Sequence, residues 1–442
     1  MASTTVGTVN FHHSVGENFP TPLRTYNVDS GVQSRITRDY LPLNANLDST
    51  QITDSYIEFI LNPSDREFFN LGKIFLELQL RITRPNGADL EDDDVVSVID
   101  SVGTSIISRA SVYLNGSLVE GNSHFGIWST IRQYLGYGLD DHKTFGELNF
   151  MKNINSPIPD RVDAAYFADA TADKYEKPII AACRDTIHLM APLHLDISSV
   201  GFYLLDNIEI RIRLDLQPAS FILLTSSAVE FAYKISLAKL HVEKICPNPS
   251  ALLSLNESMR KENSSIEYLI ERPILKTFVF PSRHTNLIMD NVFNGYIPGK
   301  VIIFIVSQQA LSGAYGRNPL YLNNCSIQNI RLEIDGQLKS TQSGNFTNKP
   351  CQFLMNTIQN ISSKDNSISL SNFKAGRTIF IYDLQASDAS DVISIDKKGC
   401  VRVSITAEQS GVQENYSVFV VGLMNGNIII NSERIVKTSF LM

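Results

Sequence analysis

The 442-residue chain has a single tryptophan and five cysteines, and those cysteines (Cys183, Cys246, Cys325, Cys351, Cys400) are scattered, odd in number and free of CxxC spacing. This argues against a disulfide framework and a zinc ribbon, and for reduced thiols in a cytosolic or nuclear setting. The first residues, MASTTVGTVNFHHSVG, lack a basic stretch followed by an apolar one, so no secretory signal is expected. The longest apolar run, Val301 to Val306, is far short of the ~20 residues of a membrane span, so a soluble protein made inside a cell is expected. No Lys/Arg cluster offsets the formal charge of −8, so direct, sequence-specific nucleic-acid binding is not expected. Nucleotide-binding GxxxxGK[ST], HExxH and GxSxG strings do not occur, which leaves no motif for a catalytic residue, cofactor or metal. Long Ala/Glu/Lys-rich helical runs are also missing.

What is present is β-like. Hydrophobic residues make up 43% of the chain and charged ones 19%, which describes globular structure with enough length for two domains of roughly 150 to 200 residues. The clearest stretch is RASVYLNGSLV followed by HFGIWSTIRQYL. Asn115-Gly116 predicts a two-residue hairpin turn, because both central positions of a type I′ turn need positive φ. Ser123 then reads as the cap of a helix carrying Ile127, Trp128, Ile131, Tyr134 and Leu135 on one side. The same unit recurs as NIRLEIDGQLKS, with an Asp335-Gly336 turn, and then CQFLMNTIQNI behind Pro350. Gly116 and Gly336 lie 220 residues apart, close to half the chain, so a duplicated all-β domain is the simplest explanation. The four turn residues Asn115, Gly116, Asp335 and Gly336 are expected to be structural.

Along the chain, residues 1–54 show no sustained period and read as an extended arm with anchors at Phe11, Phe19, Tyr26, Tyr40, Leu41 and Leu43. A first domain over 55–245 contains KIFLELQLRIT, with Ile74, Leu76, Leu78, Leu80 and Ile82 on one face, and NIEIRIRLDL, with Ile208, Ile210, Ile212, Leu214 and Leu216 inward. The acidic run Glu91-Asp92-Asp93-Asp94 lacks EF-hand spacing and reads as a solvated loop rather than a Ca²⁺ site. Residues 139–177 read as a long polar loop. Within it Asp140, Asp141, His142 and Glu147 are weak metal candidates, and Tyr166 and Tyr175 are candidate sugar-stacking aromatics. Residues 246–267 serve as a linker with a short helix, and 268–442 form a second domain in which Val301 to Val306 is a strand buried on both faces.

The fold class these patterns predict is all-β, two tandem eight-stranded antiparallel jelly rolls with short helices in the loops. The strings VYLNGSLVEGNSHFGIWSTIRQYLGYG, LLDNIEIRIRLDLQPASFIL and PGKVIIFIVSQQALSGAYGRNPLYLNNCSIQNIRLEIDGQ resemble the major capsid proteins of Polinton (Maverick) elements, adintoviruses and virophages, from about Tyr56 to Ile435. The resemblance implies a double jelly roll standing upright in a capsid wall, and a homotrimer serving as a pseudo-hexameric capsomer of an icosahedral shell. It further implies capsomer–capsomer contacts, penton and minor capsid proteins as partners, residence in the virion, and synthesis in the host cytoplasm with assembly there or in the nucleus. The alternatives are a jelly-roll carbohydrate-binding protein and, further off, a tandem jelly-roll hydrolase similar to the glycoamidases, for which a secretory signal would be wanted.

Overall fold

A computed structural model describes residues 32–43, 55–62, 66–152, 158–199, 202–227, 229–261, 265–343, 346–361, 368–384, 398–408 and 411–440. The first half supplies strands β1 (Val32–Tyr40), β2 (Tyr56–Leu61), β3 (Phe68–Thr83), β4 (Val96–Val98), β5 (Ile107–Leu114), β6 (Ser117–Ser123), β7 (Thr186–Pro192), β8 (Ile210–Leu216), β9 (Leu223–Thr225) and β10 (Ala232–Pro247). They pair antiparallel into two four-stranded sheets, in the orders β1-β10-β3-β7 and β2-β8-β5-β6, with β4 and β9 as a separate ribbon. Alternation dictates the packing: Ile74, Leu76, Leu78, Leu80 and Ile82 of β3 are at most 2% exposed, and they meet Ile57, Phe59, Ile210, Ile212 and Leu214 of the facing sheet in the core.

The second half adds β11 (Ile266–Phe280), β12 (Asn286–Tyr296), β13 (Lys300–Ser307), β14 (Ile327–Ile334), β15 (Gln337–Ser343), β16 (Phe380–Asp383), β17 (Lys398–Ala407), β18 (Tyr416–Ile430) and β19 (Val436–Phe440). Their sheets run β11-β18-β13-β16, with β19 joined to β18, and β12-β17-β14-β15. Element for element this is the strand order of the first half, so the chain is a double jelly roll. Val301 to Val306 lie in β13, which pairs with β18 along its whole length and with β16 over its first half, and all six are buried. That double burial explains the unbroken apolar run.

Each roll carries a helix after its fifth jelly-roll strand. Among the helices, α1 (Val102–Ser105) and α2 (Phe125–Gly136) pack on β5. A Cβ at Gly126 would lie 2.7 Å from the carbonyl oxygens of Ser105 and Ile107, so only glycine permits this approach. Ile127, Trp128, Ile131 and Tyr134 are buried as the periodicity predicts, but the cap position belongs to His124, in a left-handed conformation, and not to Ser123. The polar stretch expected to be a loop is largely helical, forming α3 (Ala164–Ala168) and α4 (Ala170–Cys183), with a π-helical turn at His142–Gly146. Pro178 stands inside α4 and hides it from sequence rules that end helices at proline. Helix α5 (Pro249–Lys261) lies between the rolls in sequence, and α6 (Pro350–Gln359) is the second-roll counterpart of α2, burying Phe353 and Leu354 while Ile358 is 37% exposed.

The N-terminal boundary needs correction. Residues 32–40, expected within an arm over 1–54, form β1, paired antiparallel with β10 from Val32↔Pro247 to Tyr40↔Leu240. Beyond it the Leu43 N–H donates to the Glu58 carbonyl at 2.7 Å, tying the segment to β2 while its side chain stays exposed. The side chains of 34–39 are exposed, so β1 is an edge strand held by its backbone ladder, and such a strand has no hydrophobic period to read. Phe11, Phe19 and Tyr26 lie outside the described residues. At the other boundary, β10 runs through Cys246 to Pro247 and β11 starts at Ile266.

Candidate functional site

The two hairpin turns are built alike. Asn115 and Gly116 have φ of 45° and 78°, and Asp335 and Gly336 have φ of 50° and 77°, the positive pair that a type I′ turn requires. The turns close Leu114↔Ser117 and Ile334↔Gln337, and each hairpin carries a bulge at the same place, between Val112 and Tyr113 and between Leu332 and Glu333. The first turn residue fastens the neighbouring strand in both rolls. Asn115 Oδ1 accepts from the Glu209 N–H at 2.8 Å, and Asp335 Oδ1 accepts from the Cys400 N–H at 2.8 Å.

Beyond this point the hairpins differ. Asn115 Nδ2 donates to the Arg434 carbonyl at 2.9 Å, and Ser117 Oγ approaches the Val436 carbonyl at 3.4 Å, so the second roll rests on the first roll's hairpin. Arg434, at φ 61°, turns its guanidinium back into the first roll, where Nε donates to the Asp206 carbonyl at 3.1 Å and Nη2 pairs with the Asp206 carboxylate. Tyr268 OH donates to the Tyr203 carbonyl at 3.1 Å, and His124 meets Phe419 edge-on at 5.3 Å. The ladder side of β6 is covered as a result: Val119, Glu120 and Asn122 are 2%, 1% and 6% exposed. On the equivalent strand β15, Gln337, Leu338, Lys339 and Thr341 are exposed, Leu338 by 55%.

Buried ion pairs pin the seam elsewhere. Arg317 of the second roll reaches Asp160 of the first at 3.0 Å and also Glu414 at 2.6 Å. Deeper in, Arg377 stands 3.8 Å from Asp100 and 4.9 Å over the Tyr134 ring. Asp100 also accepts from Tyr134 OH at 2.7 Å and from the Lys152 N–H at 2.8 Å. Burial, and then the charge on Asp100, push the Tyr134 hydroxyl well above its ordinary pKa, so it stays a donor. None of these pairs is legible in sequence, since the partners are up to 319 residues apart.

The remaining sequence candidates resolve differently. Asp94 is drawn in by Arg84, whose Nε and Nη2 bind it at 2.8 and 3.0 Å, and that hydrogen bonding lowers its pKa. Asp92 and Asp93 stay in solvent. Asp140, Asp141, His142 and Glu147 sit in the helical turns after α2 and are not brought together: among the described residues no group of three or more His, Cys, Asp or Glu side chains could hold a metal ion. Tyr166 is half-buried, its hydroxyl donating to Glu176 at 3.0 Å, and Tyr175 is half-buried with Lys174 over its ring, so neither presents the open face expected of a sugar platform. Glu176 also takes Lys152 Nζ at 2.7 Å and Ser97 Oγ at 2.6 Å in a closed, buried cluster. No described helix is long and apolar enough to cross a membrane.

No protein-family profile matches the chain. The uncharacterized protein F54H12.2 of Caenorhabditis elegans is 21% identical over 349 residues, which cover 74% of this chain and 79% of that protein. Among solved structures, a chain of the Sputnik virophage superposes with a TM-score of 0.61 at 14% identity, covering 95% of this chain and 91% of that one. The PBCV-1 virus capsid gives 0.55 at 11% identity, covering 94% and 98%, and the mavirus major capsid protein gives 0.53 at 12%, covering 94% and 93%. The double jelly roll of viral major capsid proteins is therefore the fold of this chain over nearly its whole length.

Proposed function

We propose that the chain is a structural major capsid protein of the Polinton (Maverick), adintovirus and virophage lineage, which self-assembles as a homotrimeric, pseudo-hexameric capsomer of an icosahedral shell. The observation that carries this is the contrast between β6 and β15. They are the same strand of the same fold, yet on β6 Val119, Glu120 and Asn122 are buried where the second roll docks, whereas on β15 Gln337, Leu338, Lys339 and Thr341 are exposed; the position shared by Leu118 and Leu338 is open on both. A contact made by the second roll on the first within one chain leaves its mirror requirement open at the far end. A head-to-tail interface of that kind repeats until it closes into a ring. Three chains supply six rolls, and in the closed ring each β15 is covered by the first roll of the next copy. Exposed edge strands are otherwise an aggregation hazard, and closure removes it.

The dense buried seam between the rolls, with Arg317, Arg377 and Arg434 each paired across it, supports a rigid tile. In this reading the partners are further capsomers, a penton protein and minor capsid proteins. The site of action is the virion, with synthesis in the host cytoplasm and assembly there or in the nucleus.

Light scattering on the purified full chain tests the trimer, which should weigh three times the 49.3 kDa protomer. Leu338→Glu should shift that mass toward the protomer while leaving a cooperative melt, because the side chain is on the surface of its own roll. A monomer throughout the micromolar range, or a trimer indifferent to charge at Leu338, overturns the ring.

A further inference from the structure

Where β6 faces β11 and β18, the seam holds a cavity of about 200 Å³ lined by Asn122, Asp196, Arg272 and Met424 among others. Beside it are two carboxylates with almost no contact with water, Glu120 at 1% and Asp196 at 2% exposed. One oxygen of Glu120 is fully engaged, Oε2 accepting from the N–H groups of Asp196 at 2.8 Å and Ile197 at 3.4 Å. The other, Oε1, has no hydrogen-bond partner among the described residues, nor do Asp196 Oδ1 and Asn122 Nδ2. Arg132 on α2 stands 4.0 Å from Asp196 Oδ1 and is committed to the His194 carbonyl at 3.0 Å.

We propose that Glu120 and Asp196 are a proton-operated latch between the two jelly rolls: sharing a proton they let β11 close over β6, and losing it they force the seam apart. Two neighbouring ionised carboxylates this deeply buried repel one another and lack the solvation that water would give, so a proton is retained while the seam is shut. The charged groups facing the pair are Arg132 from α2 and Glu271 and Arg272 from β11, while β18 contributes the uncharged Met424 and Asn425. Burial lifts the Glu120 carboxyl well above the usual carboxylate range and lifts Asp196 to about 7, Arg132 and Arg272 opposing and Glu271 reinforcing the rise. His194, two residues away, is held neutral by burial and by Arg132, its pKa pushed down to about 3, and so does not compete for the proton near neutrality. The direction follows: a carboxyl raised in the folded state gives stability that is complete below its ordinary pKa and is lost as pH rises through the raised one.

The single tryptophan, Trp128, is a built-in reporter, since Arg132 lies 6.0 Å from its ring. In the full chain titrated from about pH 5 to about pH 9, the melting temperature should fall by about 5 °C or more and the Trp128 emission should change in the same step, near neutrality. The double variant Glu120→Gln/Asp196→Asn cannot release the proton and should show neither change, and each single variant should show a smaller step than the wild type. A wild-type profile without the step, or one that survives unaltered in Glu120→Gln, overturns the latch, as does a step abolished by added calcium, which would make the pair a cation site. Should either variant fail to fold, hydrogen exchange of the wild type decides. Residues 119–123 and 272–275 should exchange faster at about pH 9 than at about pH 6 after correction for intrinsic rates, and equal protection overturns the proposal.

Discussion

Arg377 of the second jelly roll and Asp100 of the first are 3.8 Å apart, 2% and 1% exposed, with the Tyr134 ring beneath the guanidinium. Neither residue is close to the other in sequence, and they meet only where the rolls dock. Asp100→Ala leaves the guanidinium buried without its countercharge and removes the acceptor for Tyr134 OH and the Lys152 N–H. The expected loss is about 3–5 kcal/mol, read by denaturant unfolding of the purified protein. A loss under about 1 kcal/mol would mean the pair is solvated.

Gly116→Val should lower stability by about 1–2 kcal/mol, through the backbone alone. A Cβ there meets nothing within 4 Å, so the penalty comes from φ of 78°. Gly116→Asn should recover most of it, whereas a purely steric cause would make Asn as damaging as Val.

Gly126 offers the opposite case. Its side-chain position is blocked by two carbonyl oxygens at 2.7 Å, so even Gly126→Ala should destabilise by about 1–3 kcal/mol despite alanine's better helix propensity. Thermal melts of the two single variants, compared side by side, separate conformational strain from overpacking.

Truncation divides the N-terminal region. Removing residues 1–43 takes away β1 and bares the edge of β10, so that variant should precipitate or melt early, whereas removing 1–31 leaves β1 in register with β10. Equal melts for the two truncations would mean that β1 adds nothing to the first roll.

His194 sets part of the acid limit. Burial, and then Arg132, depress its pKa to about 3. A base depressed in the folded state contributes stability that is present above its unfolded value and is lost as pH falls toward the folded one. His194→Gln should therefore flatten the fall in melting temperature between about pH 6.5 and about pH 3.

The sheets were legible wherever one face is wet and the other buried, as in Ile74 to Ile82, and the hairpins wherever a turn demands Asn-Gly or Asp-Gly. The duplication followed from those two turns. Three kinds of feature were not legible. An edge strand such as 32–40 shows no period because its side chains from 34 to 39 all face water. Helix α4 is masked by Pro178. The seam depends on pairs such as Arg434–Asp206, which only the docking of the rolls brings together, and an arginine after a turn carries no sign of its partner.

The longest strands also carry a mechanical meaning. β3 and β10 have 16 residues each and β11 and β18 have 15, so each pair forms a ribbon about 50 Å from end to end. In the shell wall proposed above, with the rolls upright, that length sets the wall's thickness. Internal pressure stretches such a wall in its own plane, across the strands, so the rungs of β10 on β3 and of β18 on β11 carry the load side by side. Under that proposal, shortening β18 by two residues should soften assembled shells under indentation more than it lowers the melting point of the isolated protein.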